Sequence, residues 1–340
     1  MRFKPATSRL TAIAITAMLA ITSVASATED GTGGSLPESL HQCEIVAAQW
    51  TASEESPEAS PVASPIASPV ASPIASPVAS PIASPVASPV VSTISATPVA
   101  EEDALTDDLV AASHSILDCM SDNNLEILLQ VTGTEFRGSW LGFGSSISDD
   151  DFSVLLPMMP NLPYALVNVE NALAEGNTAT ATVTYTAGRQ LITREWTYEL
   201  MSEDGQDYWQ AKSETVVPTE IPTDAATIQI VINDGSFELN TTTVSSGNIV
   251  FDVTNVGEAP HEVLLVRAPA GTNAGDFAAA PNGLPAGSTF VGQVTVPAGT
   301  QGKIVLLDVR PGTYMIVDLL PGESGLPNVS DGMFVEFSVD

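Results

Sequence analysis

The spacing of apolar residues predicts that helices come first in the region after residue 103. Apolar side chains recur there at steps of three and four residues, at Leu105, Leu109, Ala112, Ile116 and Cys119. This period indicates an amphipathic helix, and a second, shorter apolar cluster begins at Leu125. Four strand-like runs follow, joined by Gly-containing turns of hairpin length, at 166–173, 178–185, 191–200 and 208–216. Helices followed by an antiparallel meander predict an α+β domain over residues 103–217.

Beyond residue 225 the pattern changes to short alternating or fully apolar runs separated by Gly, Pro and Asn. The eight runs are TIQIVIN, SFELNTTTV, NIVFDVTN, HEVLLVRA, STFVGQVTV, GKIVLLDV, GTYMIVDLL and MFVEFSV. Short strands at this density predict an all-β Greek-key sandwich over residues 225–340. An Ala/Gly/Pro-rich insertion at 268–286 is expected to be a long loop.

A proline-rich tract precedes both domains. From Ala59 to Val90 the sequence repeats Ala-Ser-Pro-Val or Ala-Ser-Pro-Ile. Proline at every fourth position prevents both helix and sheet ladder, so residues 59–100 are predicted to be a disordered, extended linker or stalk. Residues 28–58 form a separate N-terminal segment before it.

The first residues have the features of a secretory signal peptide. Three basic residues lie within the first nine positions, before an apolar run at Leu10–Ile21 and a small-residue cleavage site at Ala25–Ala27. The apolar run is short for a membrane span. We therefore expect residues 1–27 to be removed, leaving a secreted or extracytoplasmic protein with no membrane span.

Charge excludes one class of partner. Beyond residue 27, seven basic residues face 41 acidic residues, a net charge of −34. Phosphate backbones are bound by clustered Lys and Arg, so nucleic-acid binding is excluded. The chain has two cysteines, Cys43 and Cys119. They pair as a disulfide in an oxidising compartment, or Cys119 remains a buried free thiol on its helix, and the sequence leaves both alternatives open.

The helix end ILDCMSDNN and the last strand YWQAKSETVV make the first domain similar to the nuclear-transport-factor-two-like cone folds. That resemblance implies long helices closing a bent sheet, in a family of isomerases, cyclases and binding domains. Trp140, Tyr185, Trp196 and Trp209 either line a pocket or pack in the core. The acidic run at 149–151 is expected to be a solvated loop.

Two stretches of the last domain, NVGEAPHEVLL and GTYMIVDLLPGESGLPNVSDGM, resemble the cupredoxin family, the blue-copper fold. The resemblance implies that the metal-ligand positions are His261, Asp318, Asn328 and Met333. Blue copper needs two imidazoles, a thiolate and a weak axial thioether. Here Asp318 stands where the resemblance places the thiolate, and Asn328 stands where it places the second histidine.

Three alternatives follow for these four positions. His261 forms local hydrogen bonds while Met333 packs in the core, or His261 and Asp318 hold Cu(II) or Zn(II) weakly, or copper binds through another ligand set. No nucleophile elbow, Walker loop or zincin motif is present in the sequence. We expect no cofactor and no catalysis. The leading hypothesis is an exported, non-enzymatic binding or scaffold protein whose partner is a protein or a small molecule. The alternatives are a copper-binding electron-transfer protein and a small-molecule enzyme that uses the cone pocket.

Overall fold

A computed structural model describes the chain at residues 43–49, 99–159, 161–280, 284–322 and 324–340. The predicted signal peptide and the Ala-Ser-Pro repeat lie outside these ranges. Within them, no helix combines the length and the apolar character that crossing a membrane requires.

Helices open the first domain, as predicted. They are α1 (Val99–Ser121), α2 (Leu125–Val131), α3 (Thr134–Trp140) and α4 (Asp149–Leu155), with a 3₁₀ turn at Leu156–Met158. All five apolar positions of the predicted stripe on α1 are buried. The apolar period therefore located the face of α1 that packs on the domain core.

A four-stranded antiparallel sheet completes this domain. Its strands are β1 (Tyr164–Glu175), β2 (Thr178–Ala187), β3 (Gln190–Glu203) and β4 (Gln206–Val216). β1 pairs with β2, β2 with β3, and β3 with β4. Helices followed by an antiparallel meander confirm the predicted α+β class. The resemblance to the cone folds remains a prediction.

The acidic run at 149–151 starts a helix and is not a solvated loop. Ser148 is the N-cap of α4, and its Oγ accepts a hydrogen bond from the backbone N–H of Asp151 at 3.1 Å. Asp149 pairs with Arg137, which is 2% exposed. Carboxylates in the first helical turn are favourable because they face unpaired N–H groups and the positive end of the helix dipole. The position of these three aspartates directly after the N-cap explains their presence better than their charge alone does.

The last domain is a β-sandwich, as predicted. Its strands are β5 (Ala226–Asn233), β6 (Ser236–Leu239), β7 (Thr243–Val244), β8 (Gly247–Asn255), β9 (His261–Arg267), β10 (Thr289–Val296), β11 (Gln301–Val309), β12 (Gly312–Val317) and β13 (Phe334–Val339). The predicted run SFELNTTTV divides into β6 and β7, which join different sheets. One sheet has the order β11-β8-β5-β6 and the other β10-β9-β12-β13-β7. Apolar side chains from both sheets form one core between them.

The insertion at 268–286 contains a short helix, α5 (Ala274–Ala279). Asn273 and Asp276 form a capping box at its start. Phe277 is 1% exposed and meets Phe334 with ring centroids 6.0 Å apart. The insertion therefore covers the outer face of the second sheet, where it builds a small separate core.

A shared sheet joins the two domains. The first residues of β3 pair with β11, with Gln190 opposite Leu306 and Leu191 opposite Val305. The Gln190 side chain bridges to Gln293, because its Nε2 donates to the backbone carbonyl at 3.0 Å and its Oε1 accepts from the backbone N–H at 2.8 Å. The short connection between β4 and β5 therefore joins two domains that are also paired directly.

We expect Gln190→Ala to lower the free energy of unfolding by about 1 to 2 kcal/mol, since it removes two hydrogen bonds from the domain junction. Urea unfolding followed by circular dichroism measures the loss. Gln229→Ala, which truncates an exposed glutamine on β5, is the matched control and should change stability by less than about 0.5 kcal/mol. Equal losses in the two variants would contradict this role of Gln190.

Candidate functional site

The structure brings the four sequence-predicted positions together at one end of the sandwich. His261 is the first residue of β9, and Asp318 directly follows β12. Asn328 begins a 3₁₀ turn (Asn328–Asp331), and Met333 immediately precedes β13. The strands therefore deliver residues that are far apart in the chain to one place, as the resemblance implied.

Asp318 is the centre of this cluster. Its carboxylate is buried, with 0% exposure. Oδ2 lies 2.7 Å from His261 Nδ1 and accepts a hydrogen bond from Asn328 Nδ2 at 2.9 Å. Oδ1 accepts from the backbone N–H of Leu320 at 2.9 Å. Three partners from two separate loops thus satisfy a buried charge that would otherwise be costly.

The backbone of Asp318 organises the same loop. Its N–H donates to the carbonyl of Met333 at 3.2 Å, and its carbonyl accepts from Val329 at 2.8 Å. The N–H of Met333 donates in turn to the carbonyl of Asn328 at 3.1 Å. The Met333 side chain is 1% exposed and belongs to the sandwich core. Met333 therefore packs as a core residue in this structure.

Asp234 contacts the other nitrogen of His261, and sequence reasoning missed it. It lies in the turn between β5 and β6, with Oδ1 at 3.2 Å from His261 Nε2. The same carboxylate accepts backbone N–H bonds from Glu258 at 2.8 Å and Ala259 at 3.1 Å. These two N–H groups, followed by His261, lower the pKa of Asp234. Its sequence context, NDGS, indicates only a hairpin turn.

His261 therefore stands between two carboxylates. A neutral imidazole has one N–H donor, whereas the protonated ring has two. Both ring nitrogens of His261 face a carboxylate oxygen, at 2.7 Å for Asp318 and 3.2 Å for Asp234. A ring nitrogen that donates a hydrogen bond has no lone pair for a metal ion.

Asn255, at the end of β8, fixes the loop that leads to His261. It is 1% exposed. Its Nδ2 donates to the carbonyls of Ala259 at 2.8 Å and Val296 at 2.9 Å, and its Oδ1 accepts from the N–H of Gly257 at 2.9 Å. The asparagine of the NVGEAPH stretch thus holds the polypeptide that positions the histidine.

Glu262 is a second buried acid beside the cluster. Burial, followed by the nearby charge of Asp318, raises its pKa to about 7, and an N–H from Leu319 opposes this shift. Its side chain points to the opposite face of β9 from that of His261, because successive residues of a strand alternate. A single acid within the apolar run HEVLLVR was the sequence signal that could have identified it.

These side chains differ from a blue-copper ligand set. The four sequence-predicted positions offer one imidazole and one carboxylate where blue copper needs two imidazoles and a thiolate. Asn328 donates its amide Nδ2 to Asp318, so that nitrogen does not stand in for the second imidazole. In the part of the chain that the structure describes, no group of three or more His, Cys, Asp or Glu side chains is arranged to hold a metal ion.

In the first domain, the aromatic residues proposed for a pocket form a packed series. Trp196, Tyr185 and Trp209 are 0%, 4% and 2% exposed and belong to the domain core. Trp140 is partly buried, and its Nε1 donates to Tyr164 Oη at 3.1 Å. The rings of Tyr164, Tyr185 and Trp196 contact one another in sequence.

A buried carboxylate, Glu214, lies within this aromatic series and was also missed. Oε2 accepts from Trp196 Nε1 at 3.2 Å, and Oε1 accepts from Ser139 Oγ at 3.2 Å. Arg194 Nε lies 4.0 Å from Oε1. Burial raises the pKa of Glu214, while Arg194 opposes that shift. Protein side chains therefore satisfy both carboxylate oxygens.

Comparison with solved structures finds copper proteins that are similar to part of this chain. No family model matches this chain, and no curated protein matches it. The auracyanin from Roseiflexus castenholzii is 22% identical and covers 34% of this chain and 98% of its own, with a TM-score of 0.26. Auracyanin A from Chloroflexus aurantiacus is 18% identical and covers 34% and 100%, with a TM-score of 0.25. A multicopper oxidase from Campylobacter jejuni is 9% identical and covers 53% and 51%, with a TM-score of 0.22.

The last domain has a cupredoxin-like fold. Its two sheets pack face to face, and the histidine, the loop after β12 and the residue before the last strand converge at one end. The fold alone does not determine which ligand the domain binds, because ligand chemistry depends on the side chains at these positions.

Asp318→Asn is expected to lower the free energy of unfolding by about 3 kcal/mol, because it replaces the buried carboxylate that His261, Asn328 and Leu320 contact. Chemical denaturation at neutral pH measures the loss. Asp252→Asn makes the same substitution at a carboxylate that is 45% exposed and paired with Lys303, so it should cost less than about 1 kcal/mol. A small, equal effect of both variants would show that the cluster contributes little to stability.

Glu262 predicts a pH dependence of stability. Its pKa is about 7 in the fold and close to the ordinary 4.5 when the chain is unfolded, so the folded state retains the proton longer. The free energy of unfolding should therefore fall as pH rises from about 4.5 to about 7, by about 3 kcal/mol in total. Glu262→Gln should remove this part of the slope in a series of urea titrations between pH 4 and pH 8. An unchanged slope in the variant would assign the pH dependence to other groups.

Proposed function

We propose that this protein is an exported, non-enzymatic binding or scaffold protein in which a hydrogen-bonded cluster replaces the copper centre of a cupredoxin-like domain. The observation that carries the proposal is the buried contact between Asp318 and His261, at 2.7 Å. The histidine expected to bind copper is engaged by a carboxylate on each side, and the amide of Asn328 bonds to the same buried carboxylate.

The cluster performs the mechanical task that a metal performs in such a fold. It ties the loop after β12, the start of β9 and the turn between β5 and β6 together through Asp318, His261 and Asp234. Hydrogen bonds to a buried charge are worth roughly 1.5 to 3 kcal/mol each. A set of such bonds holds the loops without a cofactor, so a structural role needs no metal.

The first domain supports a non-enzymatic role. The buried carboxylate of Glu214 is held by Trp196 and Ser139. A general acid or base must reach a substrate proton at hydrogen-bond distance. Both oxygens of Glu214 already have protein partners, which is the arrangement of a structural carboxylate.

Export is part of the proposal. The basic, apolar and small-residue segments of 1–27 follow the order of a cleavable signal. The disulfide between Cys43 and Cys119 suits an oxidising compartment. The excess of acidic residues favours solubility and repels anionic surfaces. A protein or small-molecule partner outside the cytoplasm agrees with these features.

Copper titration of the mature chain tests the proposal. Cu(II) should produce no intense visible band of a copper–thiolate bond, since no cysteine lies at the cluster. Calorimetry with Cu(II) and Zn(II) should show no binding that His261→Ala removes. An intense band, or tight binding lost in His261→Ala, would instead support the copper-binding alternative.

The reverse substitution is the complementary test. Asp318→Cys/Asn328→His restores a thiolate and a second imidazole beside His261 and Met333, so it should gain copper and the visible band. Asp318→Cys alone is the matched control and should show neither at equal copper. Circular dichroism establishes that both variants are folded. A folded double variant that gains no copper would show that the cluster does not occupy the ligand positions.

A further inference from the structure

A short N-terminal segment, residues 43–49, lies along α1 and is fixed there at both ends. Cys43 is joined to Cys119 by a disulfide. The N–H of Gln49 donates to Asp108 Oδ2 at 2.7 Å, and the N–H of Ala48 donates to the carbonyl of Asp207 at 2.7 Å. The segment is therefore part of the first domain.

The contacts also give the direction of the segment. Cys43 meets Cys119 near the end of α1, and Gln49 meets Asp108 in its first half. Between them, Ser115 Oγ donates to the carbonyl of Glu44. The segment thus runs antiparallel to the helix, toward its first residue. Side chains of the segment that pack on the domain core are Cys43, Ile45 and Ala48.

The residues that flank the proline-rich tract are consequently close together. The tract, defined as residues 50–98, leaves the domain after Gln49 and re-enters it at Val99. Asp108, the partner of Gln49, is nine residues after Val99 on the same helix. At 1.5 Å per residue this corresponds to about 14 Å along the helix axis. Gln49 and Val99, the described residues that flank the tract, are therefore both associated with α1 of the first domain.

We infer that the tract is a covalently closed loop displayed by the first domain, and not a stalk that separates this domain from the N-terminal segment. The disulfide closes a ring that runs from Cys43 to Cys119 and contains every Ala-Ser-Pro repeat. A closed loop differs from the extended linker expected from the sequence in two ways: in how far it can extend from the domain, and in the consequence of cleavage.

The greatest distance that the tract can extend from the domain is halved in a closed loop. At about 3.1 Å per residue, an extended chain of this length spans about 150 Å when one end is free, but its midpoint lies at most about 75 Å from two adjacent ends. Cleavage differs as well, because a cut within a ring leaves both parts covalently attached. The disulfide therefore retains the N-terminal segment on the domain after proteolysis of the tract.

Site-specific cleavage tests the ring. A protease recognition sequence is inserted between Val78 and Ala79 of the full mature chain, and the cut protein is run on denaturing gels. It should remain one species without reductant and separate into two fragments with a dithiol reductant. The same insertion in Cys43→Ser is the matched control and should give two fragments under both conditions. Two fragments from the cut wild-type chain without reductant would overturn the inference.

Small-angle scattering of the uncut chain tests reach separately. Cys43→Ser/Ala48→Pro removes both the disulfide and the N–H that bonds to Asp207, while Cys119 stays in its helix. Its maximum dimension should exceed that of the wild type by several tens of Å, with an unchanged helical signal by circular dichroism. An equal maximum dimension in the two proteins would refute the restricted reach.

Discussion

A carboxylate removed from water must find compensation within the protein, and Asp318 does so by collecting groups from several elements. His261 at the start of β9, Asn328 in the 3₁₀ turn and the backbone of Leu320 all converge on it. A buried charge left without partners costs several kcal/mol, so the loss of any one of these bonds destabilises the fold. The position of the loop between β12 and β13 follows from this requirement, as does the orientation of the histidine.

The same constraint connects the loops at this end of the cupredoxin-like domain. A metal ion gathers ligands by coordination, whereas a buried carboxylate gathers donors by hydrogen bonds, and both connect the same loops. Asp234 extends the cluster to a third loop through the far nitrogen of His261. Asn255 holds the approach to that histidine independently of any ligand. The fold and its end loops can therefore be maintained although the donor set of a blue-copper centre is not present at these positions.

The two domains and the N-terminal segment form a connected unit by different physical means. β3 and β11 join the domains through backbone pairing, to which Gln190 adds two bonds. Cys43 and Cys119 join the segment to α1 covalently. Each connection links residues that are distant in sequence. Each therefore restricts the relative motion of segments that composition alone would describe as independent.

The sequence by itself determined the class and order of the elements, because the apolar period reports which face of a helix or strand is buried. It located the stripe of α1, the four strands of the meander and the sandwich, and the resemblance to the cupredoxin family implied His261, Asp318, Asn328 and Met333 as one set. It missed Asp234, since a hairpin-turn aspartate has no distinctive local pattern, and it missed Glu262, although a single acid within an apolar strand was a signal for it. Only the tertiary structure decided what the set does, because hydrogen bonding depends on distances between segments. It also decided that the acidic run forms the first turn of α4 and that residues 43–49 lie along α1.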